Sequence, residues 1–395
     1  MQGFLRADGR KGIRNEILVV YLVECAHHVA REIALPFREL GAQVVGFPGC
    51  YPNAYAERIL RQIATHPNVG GALLVSLGCE GVDRLALEEA VAASGRPVET
   101  LVIQKVGGTA ETVAAGRAWI ERTGADLRES PRAEMEVADL VVGTICGGSD
   151  ATSGLTANPA VGRAFDRLVA AGATAIFEET GELIGCEPHM ARRAATAELG
   201  QQIVAAVAKA ARYYEVLGHG SFAPGNADGG LTTIEEKSLG AYSKSGRSPI
   251  SGLIKPGDVP PRGGLYLLDV VPDGEVRFGF PNIVDNAEIV ELIACGAHLV
   301  LFTTGRGSVV GSAVSPVIKV CANPETFRRM AGDMDVDAGR ILEGRGTLDE
   351  VGEEVFARVL AVAGGEPSVS ERLGHQEFIL TYKSFSPIGP ECLPA

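Results

Sequence analysis

The sequence predicts an α/β protein built from two parallel-sheet domains. Short apolar runs alternate with segments of helical periodicity along most of its 395 residues. Glycine is abundant, with 50 residues, and aromatic residues make up only 6%, which is typical of proteins with many tight strand-to-helix turns. The chain is 46% hydrophobic and long enough to bury more than one core. We therefore expect one domain over residues 1–135 and another over residues 136–395.

The first domain is predicted to contain four consecutive strand–helix units. Each unit begins with a short apolar run and continues with apolar residues at helical spacing. The predicted strands are 17–23, 43–47, 72–77 and 100–104, and the predicted helices are 26–40, 54–65, 82–94 and 109–122. Four such units in a row favour a parallel sheet with both faces covered. The charged stretch 123–136, which contains Pro131, is interpreted as a linker.

The second domain shows the same alternation with longer connections. Its predicted strands are 140–145, 174–177, 263–271, 298–302 and 317–321, and its predicted helices are 160–171, 191–217 and 348–363. A glycine-rich loop is expected over residues 218–230.

Charge and hydropathy exclude several classes of function. The net charge is −13 and there is no basic block, which argues against a nucleic-acid partner. No apolar segment approaches the roughly 18 residues of a membrane span. The apolar run at 17–23 follows three basic residues, as in a signal peptide, but Glu24 and a polar helical stretch follow it. We expect a cytoplasmic protein.

Four of the eight cysteines follow predicted strands. They are Cys25, Cys50, Cys79 and Cys146. Ligands of open parallel sheets bind outside the carboxyl ends of the strands, so thiolates there could bind iron or an iron–sulfur cluster. The alternative is that these cysteines are small core residues. Cys295 and Cys321 lie inside apolar runs and are expected in the core, and Cys392 lies in the tail.

Three segments of the second domain carry candidate polar sites. Cys146-Gly147-Gly148-Ser149-Asp150, followed by Asn158-Pro159, can form an anion-binding nest next to a helix start. Asp150 is either a metal ligand or base, or a turn residue. An acidic cluster then follows the strand at 174–177 and suits a divalent metal, although it could also be a solvated loop. That cluster contains Glu178, Glu179, Glu182, Glu187 and His189.

The third segment is glycine-rich and leads into a helix-capping pattern. Asn226 lies in the glycine-rich part, and Thr232 and Thr233 precede glutamates at capping-box spacing. Lys237 follows as a candidate general base or carboxylate partner, since burial could lower its pKa into a useful range. Arg306, in a glycine turn after the strand at 298–302, could grip a substrate carboxylate or could be a solvated surface residue. A dinucleotide fingerprint is present only in a poor form there, which disfavours a nucleotide role.

Taken together, these segments resemble the altronate and galactarate dehydratase family. The matching motifs run in one order along nearly the whole chain. They are Asp8-Gly9-Arg10 with Gly12 and Arg14-Asn15, Gly49-Cys50, His66-Pro67-Asn68, Gly78-Cys79-Glu80, Cys146 to Asp150, Ser153-Gly154 with Thr156 to Pro159, Gly225-Asn226, Gly229-Gly230 with Thr232-Thr233, Glu235 and Lys237 to Gly240, Thr304-Gly305-Arg306-Gly307 and Asp337-Ala338-Gly339.

The resemblance implies a metal-dependent hydro-lyase. Members of the family remove water from aldonic or aldaric acids to give 2-keto-3-deoxy acids, with iron or another divalent metal. They contain a small β-clip domain, a dimerisation domain and a Rossmann-like domain that holds a metal. This chain resembles the last two, at 1–135 and 136–395. A homodimer and a separate small β-clip subunit are therefore expected.

A second resemblance is to the large subunit of sulfolactate sulfo-lyase, which eliminates sulfite. Residues 316–324 and 373–378 resemble that branch, whereas Cys50, Cys79 and residues 304–307 resemble the dehydratases. Gly181 and Pro52-Asn53 depart from the dehydratase pattern and leave the substrate open. Dehydration of a sugar acid is the preferred prediction. Sulfite elimination and a non-catalytic scaffold are the alternatives.

These arguments lead to a predicted set of site residues. The metal is assigned to Cys50, Cys79, Cys146 and Glu187 as iron, in the form of Fe²⁺ or an iron–sulfur cluster, or as another divalent ion. The catalytic residues are predicted to be Lys237, Arg306, Asp150 and Glu182. The residues predicted to bind the substrate are Ser149, Asn158, Asn226, Thr232, Thr233 and Arg14.

Overall fold

The computed structural model describes residues 1–218, 224–273, 284–380 and 382–383, and within them the strands form three sheets. The smallest sheet is antiparallel and was not predicted. Its strands are β1 (Gln2–Leu5), β2 (Lys11–Gly12) and β7 (Arg132–Glu134), in the order β2-β1-β7. Strand β7 falls where a linker was predicted, because pairing with β1 gives this charged stretch backbone partners.

The N-terminal region contains a parallel four-stranded sheet, as predicted. Its order is β4-β3-β5-β6. The strands are β3 (Glu16–Tyr21), β4 (Ala42–Gly46), β5 (Val69–Ser76) and β6 (Val98–Val102). The helices are α1 (Glu24–Ala34), α2 (Ala54–Ala64), α3 (Arg84–Ala93), α4 (Ile103–Val106) and α5 (Thr109–Arg128). Helix α5 is longer than predicted, since Thr123 and Gly124 are buried in its last turns.

Both faces of this sheet are covered. Alternate residues of β3 point to opposite sides, as the period of a strand requires. Ile17 and Val19 pack with α1 and α5 in one hydrophobic cluster. Leu18 and Val20 pack with α2 and α3 in another. Because helices cover both faces, the apolar runs are continuous rather than alternating, and β5 is buried along its whole length.

The C-terminal region contains a parallel seven-stranded sheet in the order β10-β11-β9-β8-β12-β13-β14. Its strands are β8 (Val141–Cys146), β9 (Thr174–Phe177), β10 (Ile250–Ile254), β11 (Gly264–Leu268), β12 (Leu299–Thr304), β13 (Val317–Cys321) and β14 (Val336–Asp337). Numbered within the sheet, the order is 3-4-2-1-5-6-7, whereas a Rossmann sheet has 3-2-1-4-5-6. The α/β class is confirmed, and the Rossmann-like assignment stays a prediction.

Nine helices accompany this sheet in the described residues. They are α6 (Ala157–Ala170), α7 (Glu187–Arg193), α8 (Ala197–Leu217), α9 (Pro224–Asp228), α10 (Ile234–Ser243), α11 (Asp285–Ala294), α12 (Pro324–Arg329), α13 (Leu348–Ala363) and α14 (Val369–Leu373). The predicted helix at 191–217 is two helices, because Ala194 bridges to Ile250 and the Thr196 side chain caps α8 by accepting from the Leu199 amide.

The two regions share a hydrophobic cluster and polar contacts. Helix α2 packs on α11, and residues of both belong to one cluster. Asn68 donates from Nδ2 to the His298 carbonyl at 3.0 Å and to Ser315 Oγ at 3.1 Å. The predicted division at residue 135 remains a prediction. No helix within the described ranges is both long and apolar enough to cross a membrane.

Candidate metal centre and active site

A group of potential metal ligands lies at the carboxyl edge of the seven-stranded sheet. Cys146 Sγ and carboxylate oxygens of Glu179 and Glu182 all lie within 4.8 Å of one another. The Cys146 thiol donates to Glu179 Oε1 at 3.1 Å and to Glu182 Oε2 at 3.4 Å. Across the part of the chain that the structure describes, this is the one group of three or more such residues.

The topology of the sheet places this group. Strand β8 has β9 on one side and β12 on the other, so the chain order reverses between β8 and β12. Such a switch point opens a crevice at the carboxyl ends of the strands, where ligands bind. Cys146 is the last residue of β8 and pairs with Thr303 of β12. Cys146 therefore lies at the edge where such a crevice is expected.

The two glutamates reach the same crevice from β9 through a strained turn. Glu179 has φ +77°, the left-handed region that costs a residue with a side chain about 1–3 kcal/mol. A short 3₁₀ turn over Thr180–Glu182 follows and turns Glu182 back toward Cys146. The strain lies at the residues that form the group, which is where functional sites often store it.

Lys237 of α10 and Lys244, the C-cap residue of that helix, face the two glutamates. Lys237 Nζ lies 2.7 Å from Glu182 Oε2, donates to Ser149 Oγ at 2.9 Å and contacts Cys146 Sγ at 3.2 Å. Lys244 Nζ donates to Glu179 Oε2. Lys237 and Lys244 are seven residues apart, two helical turns, so they share one face of α10. Each lysine therefore neutralises one of the candidate ligands.

The start of α10 is fixed by a capping box. Thr233 is its N-cap, and the Thr233 hydroxyl accepts a hydrogen bond from the Glu236 amide. The Glu236 carboxylate in turn accepts one from the Thr233 amide. Thr232 is exposed and also donates to Glu236 Oε2, at 2.8 Å. The predicted capping box is thus present. Thr232 and Thr233 act in this structure as capping residues on the exposed side of α10.

The pKa of Lys237 contradicts the expectation from sequence. Burial lowers it, but the negative charges of Cys146 and Glu182 outweigh burial and raise it above the ordinary value of lysine. Lys237 is therefore held as a cation in this arrangement. Its geometry suits a partner for negative charge rather than a neutral base.

Arg306 lies at the rim of the crevice. Its side chain is exposed, and its guanidinium donates to the Gly225 carbonyl. Its backbone amide donates to the Gly148 carbonyl at 2.8 Å, so the turn after β12 is joined to the loop after Cys146. Gly305 is required there, because a Cβ atom would come within 2.1 Å of Asp150 Oδ1.

Asp285 at the start of α11 lies next to this loop. A Cβ atom on Gly147 would come within 2.1 Å of Asp285 Oδ2, so the glycine allows the carboxylate to approach. Asp285 is exposed to solvent on one side, while desolvation by the atoms packed around it raises its pKa to about 6, and the charge of Glu182 adds to this. Asp285 was not predicted, because α11 follows a segment without a recognisable strand–turn signal.

Asp150 is close to the crevice, but both of its carboxylate oxygens accept hydrogen bonds from neighbouring residues. Its Oδ1 accepts from the Thr152 amide at 2.9 Å and the Thr152 hydroxyl at 2.6 Å, and its Oδ2 accepts from Asn323 Nδ2 at 2.9 Å. It does not belong to the group of metal ligands. Of the two interpretations left open by the sequence, the hydrogen bonds favour the turn residue.

The predicted substrate-binding residues have separate locations. Ser149 lies in the crevice through its bonds to Cys146 and Lys237. Asn158 is buried and donates to the Gly240 carbonyl at 3.0 Å, while its Oδ1 has no partner within the described structure. Asn226 is buried in α9. Arg14 is elsewhere, where it pairs with Glu371 at 2.6 Å and donates to backbone carbonyls of residues 362 and 366.

Of the four predicted metal ligands, the structure places Cys146 in the ligand group and the other three elsewhere. Cys50 and Cys79 are exposed and follow β4 and β5, which belong to the four-stranded sheet, whereas Cys146 ends a strand of the other sheet. Strand ends identified from sequence cannot be assigned to one sheet without the strand pairing. Glu187 is half-buried at the start of α7 and is not in the ligand group.

The residues present fit a divalent metal. One thiolate and two carboxylates are a mixed ligand set that suits iron or another borderline ion. Glu178, next to Glu179, has a buried Oε1 without a hydrogen-bond partner among the described residues. Glu179 belonged to the predicted acidic cluster but not to the predicted set of site residues, and Lys244 was not predicted at all. The spacing of seven between Lys237 and Lys244 behind a capping box was the available signal.

Comparisons with known proteins identify the family of the chain. The family model for the C-terminal part of D-galactarate/altronate dehydratase matches residues 137–386, and the model for the second domain of D-galactarate dehydratase/altronate hydrolase matches residues 3–127. The chain is 32% identical to the (2R)-sulfolactate sulfo-lyase subunit beta of Chromohalobacter salexigens over 96% of both chains. It is 32% identical to altronate dehydratase of Bacillus subtilis, over 92% of this chain and 74% of the relative. It is 34% identical to galactarate dehydratase (L-threo-forming) of Escherichia coli, over 78% of this chain and 59% of the relative. The chain therefore belongs to the D-galactarate/altronate dehydratase family.

Proposed function

We propose that the chain is a metal-dependent hydro-lyase that converts a sugar acid, such as altronate or galactarate, to a 2-keto-3-deoxy acid. The observation that carries the proposal is the group of Cys146, Glu179 and Glu182 at the switch point, paired with two buried lysines. Membership of a dehydratase family supports the same reaction class. Iron is the preferred metal because the set contains both a thiolate and carboxylates.

The reaction needs a base, a group that stabilises an enediolate, and help for the departing hydroxyl. A divalent metal held by Cys146, Glu179 and Glu182 supplies Lewis-acid chemistry. Asp285 takes the proton from the carbon next to the carboxylate, since a pKa of about 6 leaves it ionised yet basic at neutral pH. The enediolate that results carries extra negative charge.

Two cationic side chains interact with the negative charges of the substrate and the enediolate. Lys237, held as a cation by burial among acidic partners, stabilises the enediolate by a preorganised charge. Arg306 at the rim binds the substrate carboxylate with two parallel N–H donors. Asp150 holds the turn after Cys146 rather than taking a proton.

Single substitutions test these assignments. Lys237→Ala is expected to lower kcat by about 10²- to 10³-fold, as loss of a preorganised charge donor does. Arg306→Ala is expected mainly to raise KM, because it removes carboxylate binding. Formation of the 2-keto-3-deoxy product from altronate and galactarate is measured for both, with Lys11→Ala as a surface control. Near-normal turnover in both variants would overturn the assignment.

Sulfite elimination from sulfolactate is the second candidate. It is favoured by the similarity to the sulfo-lyase subunit beta, which covers 96% of each chain. The word subunit in that name also supports the proposal that this chain works with a separate small subunit. Sulfite release from (2R)-sulfolactate, measured beside the sugar-acid assays and with and without such a subunit, decides between the two reactions. A homodimer and a cytoplasmic location are parts of the same proposal.

A further inference from the structure

A second set of cysteines lies at the carboxyl edge of the four-stranded sheet. Cys25 follows β3, Cys50 follows β4 and Cys79 follows β5. All three are exposed, whereas the other four described cysteines are buried. Because β4, β3 and β5 are consecutive neighbours in the sheet, the three thiols belong to one edge.

This edge also has a topological switch point. The chain order β4-β3-β5-β6 reverses between β3 and β5. Helix α1 covers one face of β3 and α2 covers the other, which is the arrangement that opens a crevice between the two strands. Cys25 and Cys79 follow the two strands that flank this crevice, and Cys50 follows the next strand.

Backbone hydrogen bonds join the three cysteine loops. The Glu24 amide, next to Cys25, donates to the Pro48 carbonyl at 3.1 Å. The Gly81 amide, two residues after Cys79, donates to the Cys50 carbonyl at 2.8 Å. The cysteines are therefore carried by loops that touch one another rather than by three independent surface segments.

The turn around Cys79 directs the Cys79 side chain toward solvent. The carboxylate of Glu80 folds back, where it accepts from the Gly78 amide at 2.8 Å and from the Ser76 hydroxyl. Gly78 has φ +123°, which a residue with a side chain rarely adopts. Glu80 is thus buried while Cys79, between the two, is exposed. Cys25 lies in the first turn of α1, where the helix dipole favours an anionic ligand.

We propose that Cys25, Cys50 and Cys79 together bind an iron–sulfur cluster, separate from the metal at Cys146. Thiolates are the ligands of such clusters. Each thiolate of a cluster binds a different iron, so the sulfurs lie farther apart than the ligands of a single ion. A four-iron cluster on three thiolates leaves one iron for a ligand from outside the chain.

The test is a count of iron and acid-labile sulfide in the full chain. The protein is purified without oxygen, reconstituted with sulfide and a mixture of ferrous and ferric iron, and compared with Cys25→Ser, Cys50→Ser and Cys79→Ser. We expect about four sulfides per chain in the unsubstituted protein. Each of the three variants should lose more than half of them. Because these side chains are exposed, thermal unfolding should show that the variants remain folded.

Cys146→Ser is the matched control that separates this inference from the proposed function. It should keep the sulfide and, after reduction with dithionite, the cluster signal in electron paramagnetic resonance, but lose dehydratase activity. Absence of sulfide after reconstitution, or sulfide that is unaffected by the three substitutions, would overturn the inference. Loss of sulfide in Cys146→Ser to the same extent would also overturn it, because it would indicate one shared centre.

Discussion

The carboxyl edges of the two parallel sheets differ in the burial and the pairing of their polar side chains. At the seven-stranded sheet, charged groups are buried, and each carboxylate of the group is matched by a lysine. At the four-stranded sheet, three thiols are exposed and need no partner. A buried charge is stable only when it is paired, so the first edge has its shape fixed by ion pairs. The second edge is free to be reshaped by a ligand.

Removing the proposed base should give the largest effect on activity. We expect Asp285→Asn to lower kcat by about 10²- to 10⁴-fold, because the amide cannot accept the substrate proton. In the unsubstituted enzyme, kcat/KM should fall as the pH drops below about 6, where Asp285 becomes protonated. Asp258→Asn, which alters an exposed carboxylate paired with Arg58, is the control. Turnover above a tenth of normal in Asp285→Asn would show that this edge performs its chemistry with another base.

Breaking a buried ion pair should give the largest effect on stability. Lys244→Met leaves the buried Glu179 carboxylate without its cation, and we expect a loss of about 3–5 kcal/mol in the free energy of unfolding, measured with urea. Lys11→Met removes a half-exposed pair with Asp139 and should cost less than about 1 kcal/mol. Equal losses in the two variants would contradict the difference drawn between buried and exposed sites.

A buried histidine between the two regions should make stability depend on pH. His298 accepts from the Val141 amide at Nδ1 and lies 2.8 Å from the Lys11 carbonyl at Nε2, so the neutral ring fits. Burial lowers its pKa to about 4. Between about pH 6.5 and 4 the unfolded chain binds a proton that the folded chain does not, so stability falls as the pH falls.

The loss should reach about 3 kcal/mol when the pH approaches the folded pKa. Urea unfolding at a series of pH values measures it. His298→Gln should weaken the pH dependence by one proton relative to the unsubstituted chain, whereas His28→Gln, at an exposed position, should leave it unchanged. An unchanged dependence in His298→Gln would show that His298 is protonated in the folded chain.

The smallest effect is expected at the exposed edge. Cys50→Ser and Cys79→Ser should each change the free energy of unfolding of the metal-free chain by less than about 0.5 kcal/mol, as is usual for surface positions. Cys146→Ser, at the buried edge, should cost more, since its sulfur contacts Glu179 and Lys237. A large loss in the two surface variants would show that the thiols are packed rather than available.

Much of the fold followed from the periodicity of the sequence. Each strand of the four-stranded sheet overlaps an apolar run identified beforehand, because a strand buried on both faces must be apolar throughout. The short strands β1, β2 and β7 were missed, since two to four residues carry no periodicity. Strand β10 was missed because Gly252 and flanking polar residues interrupt its pattern.

The sequence predicted which strand ends carry site residues, but not which side chains contact one another there. The rule that ligands bind past the carboxyl ends of strands identified Cys146 and the acidic turn after β9. The same rule grouped Cys50 and Cys79 with Cys146, because the sequence does not show which strands share a sheet. The pairing of Glu179 with Lys244 joins residues 65 positions apart, and no local pattern specifies such a contact.

The position of both lysines on one short helix has a mechanical consequence. The backbones of α10 and the turn before α6 touch, since a Cβ atom on Gly154 would lie 3.0 Å from the Gly240 Cα, and Asn158 binds the Gly240 carbonyl. The Lys237–Glu182 and Lys244–Glu179 pairs therefore depend on the position of one helix and its C-cap. A cation that binds between Glu179 and Glu182 should accordingly compete with both lysines together rather than with one at a time.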